Sequence, residues 1–276
     1  MNITSVTLRN TSVSLGSDLA NLDFSAIKDN ANYLGDREFV ITGTLAGETV
    51  VVAAKVVFAD KVVTTADELK AAVTDDVANN TKLTGYVAVG NDISGTFSAS
   101  ADCAWNDGFA GTLNGCGYTI TMVGGAARGL LNCANGCTVL NTRFVATNMQ
   151  QSWKNHILAQ RITNTTVKDC VFEYSLSGLG TWDAQGGVVC AQQGGGPSTV
   201  QNCTFTNTGT EAAKLIWGFG PNAYPLTSYV KMSGCSVSGA TEHFGCQTTG
   251  SNAVSAITAY WDFNASATGQ LVKVSE

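Results

Sequence analysis

The chain has 276 residues, enough for one large or two modest domains, and carries a formal net charge of −6. Charged residues make up 13% of it, against about 25% in ordinary globular chains, and no basic block occurs anywhere. Nucleic acid and anionic membrane surfaces are therefore excluded as expected partners, and no apolar run reaches the ~18 residues of a membrane-spanning helix.

Residues 1–62 read as a small antiparallel β domain. SVTLRNTSVSL, REFVITGTL and ETVVVAAKVVFA are alternating or apolar strands, with LAGET as a turn and Gly43 and Gly47 at the bends. The pattern is Ig-like but short of the usual seven strands. Its charged residues (Arg9, Lys28, Asp29, Asp36, Arg37, Glu38) show no catalytic spacing, so attachment or spacing is the expected role. The opening MNITSVTLRN has no apolar core, and no secretory leader is expected. Residues 63–276 form the second domain. It begins with a capping box at Thr65-Ala66-Asp67-Glu68, which predicts a short helix within residues 64–75. Leu69, Ala72 and Val73 would share its buried face. Such a helix would cover the open end of the repeats beyond it, where a bare sheet edge invites pairing.

The middle of the chain repeats itself. One segment recurs as TVLNTRF (Thr138–Phe144), TVKDCVF (Thr166–Phe172), TVQNCTF (Thr199–Phe205) and KMSGCSV (Lys231–Val237), at steps of 28, 33 and 32 residues. A second series lies between them: GLLNC from Gly129, HILAQ from His156, GVVCA from Gly187, KLIWG from Lys214 and HFGCQ from His243, at steps of 27, 31, 27 and 29. Periods of this size signal stacked coils. Each seven-residue segment alternates like one strand, with Val167, Asp169 and Val171 expected on one face and Lys168, Cys170 and Phe172 on the other. Cys170, Cys203 and Cys235 hold one position in successive units, with Thr142 there in the first. They are expected as a buried column of small side chains, beside a second column of Phe144, Phe172 and Phe205. Residues 253–276, with Ile257, Tyr260, Trp261 and Phe263, are expected to close the far end or meet another subunit.

The run F-A-G-T-L-N-G-C-G-Y-T-I (Phe109–Ile120), then G-L-L and G-C-T-V-L-N-T-R-F, resembles the start of right-handed parallel β-helix proteins of the pectate-lyase-like kind. The lead-in TTADELKAAV and GYVAVGNDISG is similar to that of such domains in bacterial and phage surface proteins. The resemblance covers about residues 62–250 and implies an all-β fold: a right-handed parallel β-helix after a small antiparallel β domain and a capping helix. It also implies a homo-oligomer, commonly a trimer. It does not imply one activity, because this architecture hosts lyases, hydrolases, adhesins and phage spikes.

Candidate chemistry is sparse. Enzymes of this fold gather carboxylates on one face, and glycoside hydrolysis needs two of them a few ångströms apart. The acids within the repeats are Asp169, Glu173, Asp183, Glu211 and Glu242. The next coil replaces Asp169 by Asn202 and Glu173 by Thr206, so no acidic ladder is expected and no catalytic residue is assigned. His156 and His243 are expected to be partly exposed and coils apart. Nine Cys is an odd number for a disulfide framework, and a Cys103–Cys116 bridge is allowed but not required. Cys133, Cys137 and His156 lack a second Cys pair, so neither a metal nor another cofactor is expected. Trp153 and Trp182 lie one period apart, and Trp105 and Trp217 would continue their side of the stack. Flat rings beside Asp183 and nearby amides suit a sugar, whose ring face is apolar and whose rim is hydroxyls. Packing under loops or at a subunit interface remains the alternative for these rings.

The reading from sequence is a non-enzymatic phage virion surface protein, of the capsid-decoration, head-fibre or tail-spike type. Residues 1–62 would anchor it and a glycan would be its ligand. A secreted bacterial adhesin or carbohydrate-binding protein is the alternative, and a polysaccharide lyase or hydrolase the third.

Overall fold

The computed structural model describes residues 1–28, 30–74, 83–98, 108–127, 129–151, 156–179, 190–192, 198–210, 213–218, 230–239, 241–246 and 261–263. The chain divides into two units, Met1–Asp60 and Lys61–Glu276. The division falls before Lys61 because Lys61–Val63 pairs in parallel with Tyr86–Val89 and so belongs to the second unit.

The first unit is one four-stranded antiparallel sheet among the described residues. Its order is Ser14–Gly16, Asn2–Leu8, Gly35–Leu45, Glu48–Phe58. The last two strands form a hairpin paired without a break from Leu45↔Glu48 to Gly35↔Phe58. Ala46 (φ 53°) and Gly47 (φ 89°) make its two-residue turn, in which positive φ at both positions matches the twist of the strands. Val6, Leu8, Leu15, Ile27 and Phe39 fill the core. Phe24, Phe39 and Phe58 cluster beside them, with ring centroids 6.0–6.4 Å apart.

The second unit is a parallel β-solenoid, entered through the one helix longer than a single turn among the described residues, α1 (Ala66–Val73). Thr65 Oγ1 accepts from the Glu68 amide, and the Glu68 carboxylate accepts from the Thr64 and Thr65 amides and the Thr64 hydroxyl. Amide donors at the helix start, which have no partner within the helix, are met in this way. These bonds hold the Glu68 carboxyl below its ordinary pKa. Leu69, Ala72 and Val73 face the solenoid core, and just past the helix the Thr74 hydroxyl donates to Leu130 O at 2.8 Å. The apolar face thus covers the first coil.

From Thr112 onward, the described strands lie on three faces. On the first face lie Thr112–Asn114, Thr138–Leu140, Thr166–Lys168, Ser198–Gln201 and the start of Val230–Ser238. On the second lie Thr119–Ala127, Arg143–Gln151, Val171–Leu179, Thr204–Asn207 and the end of Val230–Ser238. On the third lie Cys133–Asn135, Ala159–Thr163, Cys190–Gln192, Ala213–Gly218 and Thr241–Cys246. All these pairings are parallel. The register puts Val87, Leu113, Val139, Val167, Val200 and Met232 in one interior column. Ile93, Ile120, Phe144, Phe172, Phe205 and Val237 form a second. Every one of these residues is buried. Trp261–Phe263 pairs in parallel with Val230–Ser238; the rest of the expected closing segment, 253–276, lies outside the described residues.

Two expectations need correction. In its first three occurrences the seven-residue unit is two strands, not one, and in the fourth it lies within one strand, Val230–Ser238, that pairs on both faces. Asn141, Asp169, Asn202 and Gly234 sit at its centre with φ of 49°, 54°, 53° and 63°, and that left-handed residue turns the chain through a corner. Alternation therefore restarts, and Val167, Cys170 and Phe172 all point inward while Lys168 and Asp169 are exposed. Asn, Asp and Gly are the residue types that enter this region at low cost, and Gly234 also has Asn202 Oδ1 where a Cβ would stand.

The second series is also offset. The first series stacks as its sequence repeat implies, Thr138↔Thr166↔Thr199↔Lys231. In the second, Cys133 pairs with Arg161, Cys190 with Ile216 and Lys214 with Glu242, one residue from the sequence repeat at three of four steps. Neighbouring apolar residues such as Leu130–Leu131 and Ile157–Leu158 are both buried, so alternation there could not set the register.

Two substitutions test these supports. Phe172 is stacked between Phe144 and Phe205, with centroids 5.0 and 5.1 Å away and planes inclined by 15° and 9°. Phe172→Ala is expected to cost about 3–5 kcal/mol in denaturant unfolding, and Phe172→Leu distinctly less. Thr65→Ala is expected to cost about 1 kcal/mol through the helix cap alone. A Phe172→Ala loss below that of Thr65→Ala would contradict the central role of the column.

Candidate functional site

The corners set what the solenoid presents. Directly after each left-handed residue come Thr142, Cys170, Cys203 and Cys235, all buried. Each side chain donates to the carbonyl two residues back: Thr142 to Leu140 O (2.8 Å), Cys170 to Lys168 O (3.2 Å), Cys203 to Gln201 O (3.2 Å) and Cys235 to Ser233 O (3.5 Å). Each thiol also lies against a carbonyl of the preceding coil, Val139, Val167 and Val200 in turn. The three sulfurs line the inside of one corner as free thiols. The hydrogen bond with the Cys170 thiol, with burial adding, pushes the Cys203 pKa up to about 12. The bond with Cys203, and then burial, raises that of Cys235. At another corner Cys137 packs on Thr165 (3.8 Å), and burial pushes its thiol up to about 12. Cys137, Cys203 and Cys235 are thereby kept from acting as nucleophiles at neutral pH, since the thiolate is the reactive form. Cys116 is exposed and outside any disulfide, its thiol donating to Asn114 O at 3.7 Å; Cys103 lies outside the described residues.

The outer surface carries rows of hydroxyls and amides. Thr112, Thr138, Thr166 and Thr199 run down the first face in register, with Thr199 Oγ1 donating to Thr166 Oγ1 at 3.3 Å. On the second face Ser236 donates to Thr204 and Ser238 to Thr206, each at 3.2 Å. Along the exposed corner Asn202 Nδ2 donates to Asp169 Oδ1 at 3.1 Å. Three members of this row, Thr138, Thr166 and Thr199, were legible as the first letter of the first three seven-residue units. That position also carries the register.

The described acids of the repeats are engaged in pairs. Arg143 Nη2 lies 2.7 Å from both carboxylate oxygens of Glu173, and Lys168 Nζ lies 3.7 Å from Asp169 Oδ2. Sequence reasoning missed the Arg143–Glu173 pair because its members are 30 residues apart, and only the stacking of coils brings them together. His156 is wholly buried, which corrects the expectation of a partly exposed ring. It directly precedes Ile157 and Leu158, where the chain runs through the interior. The side chain of His243 lies outside the described residues. Among the described residues no group of three or more His, Cys, Asp and Glu gathers as a metal site, and no helix is long and apolar enough to cross a membrane.

The expected glycan-facing residues Trp105, Trp153, Trp182 and Asp183 lie outside the described residues. Only the backbone of Trp217 is placed, paired with Ala191 on one side and Gly245 on the other. Compared with protein-family models, curated proteins and solved structures, the chain matches none of them.

Thiol chemistry is the direct test of the corner. In the native protein at pH 8, Cys116 is expected to react with a thiol reagent within minutes, while Cys137, Cys170, Cys203 and Cys235 react only on unfolding. The raised thiols also set a sign. Their unfolded counterparts ionise near the ordinary value of 9.0, and the folded Cys137 and Cys203 near 12. Between those values the unfolded state binds fewer protons, so stability falls as pH rises. Melting temperature should hold steady between about pH 6 and pH 8 and drop progressively above about pH 9. Cys203→Ser, which keeps a donor for Gln201 O, should reduce that drop.

Proposed function

We propose that this protein is a non-enzymatic surface protein of the phage virion, of the decoration, head-fibre or tail-spike type, with the solenoid presenting an attachment surface to glycans. The observation that carries the reading is the character of the described outer surface. It is built of in-register hydroxyl and amide rows, and its repeat acids, Asp169 and Glu173, are tied to Lys168, Asn202 and Arg143. A rigid array of neutral donors and acceptors suits many weak contacts with a repeating polar ligand. Both oxygens of Glu173 already face the Arg143 guanidinium, so that carboxylate is occupied within the solenoid rather than open toward a substrate. The resemblance of residues 62–250 to β-helix surface proteins supports the same reading, as does a β unit of residues 1–60 suited to anchoring. Buried free thiols fit folding in a reducing compartment before release.

Two measurements decide it. On a glycan array the native chain should bind one polymeric class, and Trp153→Ala and Trp182→Ala should each weaken that binding by about tenfold; equal binding by all three would remove the aromatic contribution. Incubation with pectins, alginates and capsular polysaccharides should release no reducing or unsaturated ends. Product that disappears in Asp169→Ala or Asp183→Ala would replace the attachment reading with a lyase or hydrolase.

A further inference from the structure

We propose that the outer edge of strand Glu48–Phe58 in the N-terminal unit pairs antiparallel with the same edge of a second copy of this chain, about a two-fold axis at Val52. This concerns how copies associate and stands apart from the attachment reading. The strand lies at one side of its sheet, and among the described residues its only sheet partner is Gly35–Leu45. The two-residue turn at Ala46–Gly47 makes Leu45 and Glu48 the hydrogen-bonded pair that closes the hairpin. Alternation along an antiparallel ladder then directs the N–H and C=O groups of Glu48, Val50, Val52, Ala54 and Val56 toward the hairpin partner. Those of Thr49, Val51, Ala53, Lys55 and Val57 point away from it. An outward row of this length is a template for another strand.

The devices that usually blunt such an edge are weak here. Residues 48–58 contain no Pro and a single Lys, and the pairing runs its full length without a bulge. Val51 and Val52 are 62% and 44% exposed, and Ala53 is exposed beside them.

The edge is also complementary to itself. A two-fold axis normal to the sheet keeps the same face of both copies on the same side, so opposed residues must both be odd or both be even in number. About Val52, Val51 opposes Ala53, Val50 opposes Ala54, Thr49 opposes Lys55 and Glu48 opposes Val56. Apolar residues meet apolar residues at the centre, and no like charges are opposed. Moving the axis to Ala53 would set Lys55 against Val51. The outward hydrogen-bonding groups of odd residues also match odd residues in this register. The two sheets would join into one continuous sheet through an isologous contact, a two-fold arrangement in place of the threefold one implied by the family resemblance.

Sedimentation of the full chain over a range of concentrations tests this, with variants at Val51. Val51→Pro removes an outward N–H that the hairpin does not use, and Val51→Lys keeps every N–H but sets a charge at the centre. Both are expected to weaken a concentration-dependent dimer by about tenfold or more, with the circular dichroism spectrum and melting curve kept. Should Val51→Pro disturb the hairpin, Val51→Lys decides. In a Cys116→Ser background, Val52→Cys should oxidise to a disulfide-linked dimer, because a non-hydrogen-bonded pair brings Cα atoms to about 4.5 Å, and Thr49→Cys should not. A monomer at every concentration, a trimer, or a dimer that neither Val51 variant weakens would overturn the proposal.

Discussion

A parallel coil can bury its apolar row only if the next coil repeats it in register. One coil has too few residues to enclose a core, and its backbone donors and acceptors point along the solenoid axis, where only another coil can meet them. Hydrogen bonding and burial therefore depend on a single condition: residue n of one coil must lie over its counterpart in the next. The columns Val139–Val167–Val200 and Phe144–Phe172–Phe205 show that condition met at successive levels. Stacked phenyl rings result from it directly, since like side chains at a repeat of about 4.8 Å lie within contact of each other.

The corners are where the condition is most demanding. Each needs a residue at positive φ, followed by a small side chain that can sit inside and satisfy a carbonyl the turn would otherwise strand. Asn141-Thr142, Asp169-Cys170, Asn202-Cys203 and Gly234-Cys235 supply that pair four times. The thiols are accordingly structural. They donate to corner carbonyls, and burial and the hydrogen bonds between thiols hold Cys203 and Cys235 in the protonated form as a by-product of packing. The same geometry ties the acids. Glu173 meets Arg143, and Asp169 meets Asn202, across one coil step.

Ends and edges obey the complementary rule. The first coil of the solenoid has a core with no coil above it, and α1 supplies the missing apolar face through Leu69, Ala72 and Val73. Among the described residues, strand Glu48–Phe58 of the N-terminal sheet has no such cover on its outer edge, and Val51 and Val52 are exposed there. Coil stacking and edge pairing draw on one physical source, the unpaired main-chain groups of an extended strand.

By itself the sequence determined the period, the β character, the capping helix and the in-register first series, because each is a local or strictly repeated signal. The capping box lies within four residues, and the Thr-Val, Cys and Phe positions recur at one spacing. It did not reveal that Asp169 and its equivalents are corners, since their left-handed backbone is adopted by Asn, Asp and Gly alike and leaves apparent alternation intact. Nor did it set the register of the third face, where Leu130–Leu131 and Ile157–Leu158 are apolar on consecutive residues. Only the tertiary structure decided those points, along with the burial of His156 and the Arg143–Glu173 pair. All of them depend on which residue of one coil lies over which residue of the next, a relation between segments about thirty positions apart that no local pattern records.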